Sequence, residues 1–95
     1  MTPDEFLLSL AAPTPPDLPP ALAALWWDRR GDWERAHECA QSDEGADAAA
    51  VHGYLHRKEG DLSTARYWYA RAGRGVAAGS LDAEWTSLVE QFAAR

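Results

Sequence analysis

The sequence predicts an all-α protein in which two helical hairpins are flanked by an N-terminal and a C-terminal helix. Three observations predict it. Alanine is abundant while β-branched residues are scarce, a composition that favours helix over sheet. Two Gly-Asp pairs, Gly31-Asp32 and Gly60-Asp61, each separate segments whose apolar residues recur at helical spacing. Clusters of proline and glycine cut the remainder into helix-length pieces.

The chain organises itself around Val51–Gly73. A glycine able to take positive φ ends one helix at Gly60, and Asp61 caps the free N–H groups of the next. Each helix of this hairpin offers one apolar stripe to its partner. In chain order, Thr2-Pro3-Asp4-Glu5 forms a capping box with proline at the first helical position, so a short helix should run from Pro3 to Ala11 or Ala12. Phe6, Leu7, Leu8 and Leu10 make it apolar enough to dock on the first hairpin or on another copy. Pro13-Thr14-Pro15-Pro16 is a stiff spacer. A helix from Asp17 or Leu18 to Arg30, with Pro19 and Pro20 in its first turn, stops at Gly31, and Asp32 caps a second helix ending near Gln41 or Ser42. Asp43, Glu44 and Asp47 lie where a helix N-terminus favours negative charge, so a structural role suits them better than acid/base chemistry. That helix should run through Ala48–Glu59. Beyond Gly73-Arg74-Gly75 and Gly79, Ser80 caps a last helix from Leu81 to about Ala93, with Leu81, Trp85, Leu88, Val89 and Phe92 as its stripe.

The 95 residues make a single helical domain, divided into an N-terminal helix and Pro-rich connector (1–18), a first hairpin (19–42), a second hairpin (43–73) and a C-terminal capping helix (80–95). A chain of this length buries only roughly 60–65% of its extended surface, and five Trp, three Tyr and two Phe answer that need for large side chains. The net charge of −6 opposes binding to a phosphate backbone, so no nucleic-acid partner is expected. The single cysteine, Cys39, has no intrachain disulfide partner. The N-terminal stretch lacks the basic region and apolar length of a signal peptide, and no apolar run reaches membrane-spanning length. A cytoplasmic location without membrane association is the expectation.

The two hairpins align on each other with a period of 29 residues, pairing Gly31 with Gly60, Asp32 with Asp61, Trp33 with Leu62 and Ala36 with Ala65. At Gly53, Gly60-Asp61, Leu62, Ala65, Tyr69 and Ala72 the chain resembles the tetratricopeptide repeat, a helix–turn–helix unit with small and large residues at fixed offsets. The first hairpin matches at Ala24, Trp27, Gly31-Asp32, Trp33 and Ala36. It departs at Ala40, where the family has an aromatic, and at Asp43, where it has alanine. The period is also shorter than the family's roughly 34 residues, which implies a shortened helix or a tighter link. The string LHRKEGD…ARYWYARAG also resembles small uncharacterised bacterial proteins, a likeness that supplies no activity. The tetratricopeptide-repeat-like (TPR-like) resemblance covers about residues 19–73 and implies two hairpins capped by the terminal helices.

The same resemblance implies a concave groove lined by the first helix of each hairpin. Carried over position by position, the groove comprises Leu25, Asp28 and Arg29 in the first hairpin and Asp47, Ala50, Tyr54, Arg57 and Lys58 in the second. This mixed surface would suit a peptide or an acidic chain end, although the C-terminal helix could fill it instead. His52, His56 and Glu59 form an i, i+4, i+7 stripe that could face one metal ion, but the repeat register turns both histidines toward their partner helix, against Tyr67, Trp68 or Tyr69. They read as structural, and no metal site or cofactor is assigned. The tryptophans read as packing. His37 and Cys39 are two residues apart on a helix and face different directions, which opposes a nucleophile–base pair. No phosphate loop, hydrolase elbow or cofactor motif occurs. The expected function is a non-catalytic protein–protein interaction module, with a homodimer among its forms. The alternative is a small ligand-binding or enzymatic protein with a polar site around His52, His56, Arg57 and Glu59.

Overall fold

The computed structural model describes residues 1–93, and every regular element among them is a helix. The helices are α1 Pro3–Ser9, α2 Pro20–Arg29, α3 Trp33–Gln41, α4 Ala46–Lys58, α5 Leu62–Arg71 and α6 Leu81–Ala93. None is long and apolar enough to cross a membrane.

Local chemistry accounts for the boundaries. The Thr2 hydroxyl accepts from Glu5 N while the Glu5 carboxylate accepts from Thr2 N, so the expected capping box forms. The Gly-Asp turns have matching geometry. Gly31 and Gly60 take φ of 82° and 88°, and the following Asp N–H reaches back to the carbonyl of Trp27 or His56 at 3.0 Å in each case. The side chains of Asp32 and Asp61 then accept from Arg35 N and Thr64 N, capping α3 and α5. Gly73 closes α5 in the same way, and Ser80 accepts from Ala83 N at the start of α6.

Helix α1 is shorter than expected. After Ser9 the backbone tightens into i→i+3 bonds, and the Arg30 guanidinium donates to the carbonyls of Leu10 and Ala12 at 2.7 and 2.8 Å. A side chain from the end of α2 thus satisfies two carbonyls just past α1, which have no backbone donor among the described residues. Helix α2 likewise begins at Pro20, later than Asp17 or Leu18, because the Pro20 ring sterically keeps Pro19 extended, at φ −58° and ψ 153°.

Hairpins α2–α3 and α4–α5 stack through α3 against α4 and α2 against α4, and α6 lies across α2 and α4. It runs antiparallel to both: Asp82 and Glu84 near its start meet Arg29 and Arg57 at the ends of α2 and α4. Antiparallel packing sets its positive dipole end beside their negative ends. Trp26, Leu25, Val51 and Leu55 from the hairpins and Trp85, Leu88, Val89 and Phe92 from α6 share one core. Helix α1 closes the far side of α6, with the Phe6 ring 6.0 Å from that of Trp85. Gly53 permits the close approach of α4 and α5, since a Cβ there would stand 2.9 Å from the Tyr69 ring.

Candidate functional site

Two groups of side chains concentrate the polar chemistry of the described residues: the face between α2, α4 and α6, and a histidine cluster between α3, α4 and α5.

On the first face, Asp28 in the last turn of α2 is only 4% exposed. A buried carboxylate requires partners, and α4 supplies them: the Tyr54 hydroxyl donates to Oδ2 at 2.7 Å and Lys58 Nζ to Oδ1 at 2.8 Å. Glu84 of α6 is also buried and receives Arg57 Nη1 at 2.8 Å and the Tyr69 hydroxyl at 2.6 Å. Arg57 Nη2 donates in addition to the Gly79 carbonyl. Burial, with the hydrogen bond to Asp28 next, pushes the Tyr54 phenol well above its ordinary range. The Tyr69 phenol rises for the same reasons, with Glu84 as its carboxylate. Neither tyrosine is poised to ionise as a base.

The residues expected in the groove therefore have definite places. Leu25 and Ala50 are fully buried core residues, and the Leu25 carbonyl accepts from Trp85 Nε1 at 3.1 Å. Arg29 lies over the Trp85 ring at 3.9 Å and pairs with Asp82 at 3.4 Å. Asp28, Tyr54 and Lys58 form the network above, and Arg57 is spent on α6. Asp47 is half-buried in the first turn of α4, away from that network. Helix α6 thus covers much of this face. A cleft of about 280 Å³ stays open at its N-terminal end, bordered by Asp28, Arg29, Tyr54, Lys58 and Asp82.

The histidine cluster joins the two hairpins. His37 of α3 meets His52 of α4 with their Nε2 atoms 2.9 Å apart, and one ring nitrogen from each of His37, His52 and His56 lies within 4.8 Å of the others. His56 Nδ1 is 2.6 Å from Glu59 Oε1. Rings hold the imidazoles in place: Trp33 stacks on His37 with centroids 4.9 Å apart, and Trp68 stacks on His52 at 3.8 Å. His52 is 2% exposed, whereas His37 and His56 are half-buried. Burial, followed by repulsion from His37 and His56, holds His52 down at about 4, and burial also lowers His37. At neutral pH both are uncharged imidazoles.

The sequence places His52, His56 and Glu59 on one stripe; His52 stacks on Trp68 of the partner helix as expected, whereas His56 meets the Trp33 and His37 rings of α3 instead. His37 was not among the expected site residues. It lies in the other hairpin, and its only sequence-level signal is that Trp33 and His37 share a face of α3 at i, i+4. Arg57, grouped with these histidines by sequence, turns instead to Glu84 on α6. Cys39 is half-buried at the core margin, and burial raises its thiol, which disfavours a reactive thiolate.

No family model, curated protein or solved structure matches the chain.

Proposed function

We propose that the chain is a non-catalytic, TPR-like protein-interaction module whose groove takes an amphipathic helix with acidic residues at its N-terminal end. The observation that carries this reading is α6 itself. It lies along α2 and α4 with Glu84 on Arg57, Asp82 on Arg29, and Trp85, Leu88, Val89 and Phe92 in the shared core. A helix from a partner carrying the same pattern could make the same contacts.

Helix α6 is tethered by a short glycine-containing loop, 74–80, so it competes at an effective concentration on the order of millimolar. A partner helix that only reproduced its contacts would bind about as weakly. Micromolar affinity requires about 4 kcal/mol beyond those contacts, supplied by surface that α6 does not cover. The cleft beside Arg29 and Lys58 is adjacent surface of that kind.

The test is capture of binding proteins by full-length chain and by Arg29→Glu/Arg57→Glu, followed by hydrogen exchange on the captured complex. The expected result is a partner lost by the double variant while its helical circular dichroism is retained, with faster exchange of the α6 amides in the wild-type complex. A partner retained by the variant, or a complex in which α6 exchange is unchanged, defeats the reading. The alternative ligand-binding reading draws support from a separate observation, the convergence of His52 and His56 with Glu59 beside a third histidine.

A further inference from the structure

We propose that His37, His52 and His56 form a binding site for a divalent transition-metal ion, with Zn²⁺ as the best-matched occupant. The site is distinct from the α6 groove and spans the junction between the two hairpins.

The 2.6 Å contact of His56 Nδ1 with Glu59 Oε1 favours a proton on Nδ1, and in the neutral ring Nε2 is then the atom that can ligate. The 2.9 Å contact between His37 Nε2 and His52 Nε2 holds one proton for two nitrogens. A cation where the three rings meet would take one lone pair from each imidazole, the proton between His37 and His52 moving to the Nδ1 of the ring that carried it.

Zinc–nitrogen bonds of about 2.0–2.1 Å in tetrahedral arrangement place neighbouring donor atoms about 3.3 Å apart. The observed 2.9 Å pair, within a triad closer than 4.8 Å, reaches that spacing by small side-chain adjustments. His52 and His56 stand one helical turn apart on α4, and α3 delivers His37 from the side. The Trp33 and Trp68 rings limit alternative orientations of His37 and His52.

The surroundings match those of a metal-bound imidazole. A carboxylate on the distal nitrogen of a ligating histidine orients the ring and raises its basicity, and Glu59 stands in that position on His56. Neutral imidazoles suit Zn²⁺, Cu²⁺ and Ni²⁺ over Mg²⁺ or Ca²⁺. Asp61, which approaches His56 and Glu59, is a poorer donor because both its oxygens accept from Thr64 at the start of α5. Three protein ligands leave a fourth position on the half-buried side of His37 and His56 for water or an exchangeable ligand.

The test titrates chelator-treated full-length protein with Zn²⁺, using Co²⁺ as a spectroscopic probe. The expected results are one ion per chain, a rise in thermal midpoint, and the intense visible absorption of tetrahedral Co²⁺. His37→Gln and His56→Gln, chosen because those residues are only half-buried, should each lose the tetrahedral spectrum and at least tenfold in affinity. Glu59→Gln should bind about 10–100-fold more weakly with its spectrum retained. Circular dichroism confirms that each variant is folded, and an unfolded variant is replaced by the corresponding Asn substitution. Weak octahedral Co²⁺ spectra, or affinity unchanged in folded His37→Gln, would overturn the assignment.

Discussion

The Tyr54 hydroxyl donates to Asp28 Oδ2 at 2.7 Å, joining α4 to the last turn of α2 within the protein interior. Because Asp28 is buried and charged, this bond stabilises more than a surface contact of equal length. Tyr54→Phe should lower stability by about 1.5–3 kcal/mol in urea denaturation. Lys58→Ala should cost less, since Lys58 is substantially exposed and water can replace its ammonium. An effect of Lys58→Ala equal to or greater than that of Tyr54→Phe would contradict this ranking.

The two Gly-Asp turns should respond alike. Neither Gly31 nor Gly60 has an atom within 4 Å of an added Cβ, so alanine meets only the backbone cost of positive φ. Gly31→Ala and Gly60→Ala should each cost about 1–2 kcal/mol, and the asparagine variants less. A large difference between the alanine variants would show that the turns are not energetically equivalent.

Gly53 is sensitive for a different reason. Alanine improves helix propensity by about 1 kcal/mol, yet its Cβ would lie 2.9–3.1 Å from the Tyr69 ring. That ring is anchored by its bond to Glu84 and cannot easily retreat. Overpacking of about 1–3 kcal/mol should therefore win, making Gly53→Ala destabilising by chemical denaturation. Replacing Tyr69 as well, in Gly53→Ala/Tyr69→Leu, should show favourable coupling between the two positions in a double-mutant cycle.

Acid should destabilise the metal-free protein through His52. Its folded pKa is about 4 and its unfolded value about 6.5, so the unfolded chain binds more protons between those limits. The stabilising contribution is complete above about pH 6.5 and is lost as pH falls toward 4, up to about 3 kcal/mol. His37 adds in the same direction, while His56 and Glu59 complete the ionisable surroundings. Denaturation at pH 7.5, 5.5 and 4.5 with chelator present should reveal this slope, and His52→Leu should flatten it. An unchanged slope in that variant would remove His52 as the cause.

Shortening the loop before α6 should make the chain exchange α6 with a second copy. Helix α6 contributes Trp85, Leu88, Val89 and Phe92 to the core, so an intact fold needs an α6 from some chain. Deleting Gly75–Ala78 restrains the intrachain route while a second copy can offer the same contacts. Light scattering should then report a dimer that dissociates only on unfolding. A folded monomer would show that the remaining residues still span the turn.

Much of the architecture was legible because it depends on neighbours in sequence. The Thr2–Glu5 box, the Asp32 and Asp61 caps, the positive φ of Gly31 and Gly60, and the apolar stripe of α6 all follow from interactions within a few residues. The early end of α1 was not legible, because the carbonyls of Leu10 and Ala12 just past it are satisfied by Arg30 across the Pro-rich connector. Residues Asp28, Tyr54 and Lys58 could be placed on related helical faces, but only packing determines that they bond to one another.

The sequence alone determined six helical segments and most of their boundaries, the end of α1 and the start of α2 excepted, since capping, glycine conformation and apolar periodicity act over one or two turns. Tertiary structure decided which helix covers the α2–α4 face, placing α6 there with Glu84 on Arg57 and Tyr69. It also brought His37 to His52 and His56 across the α3–α4 junction. Those contacts depend on how the hairpins stack, and the relative rotation of packed helices is set by side-chain fit across the whole core rather than by any local signal.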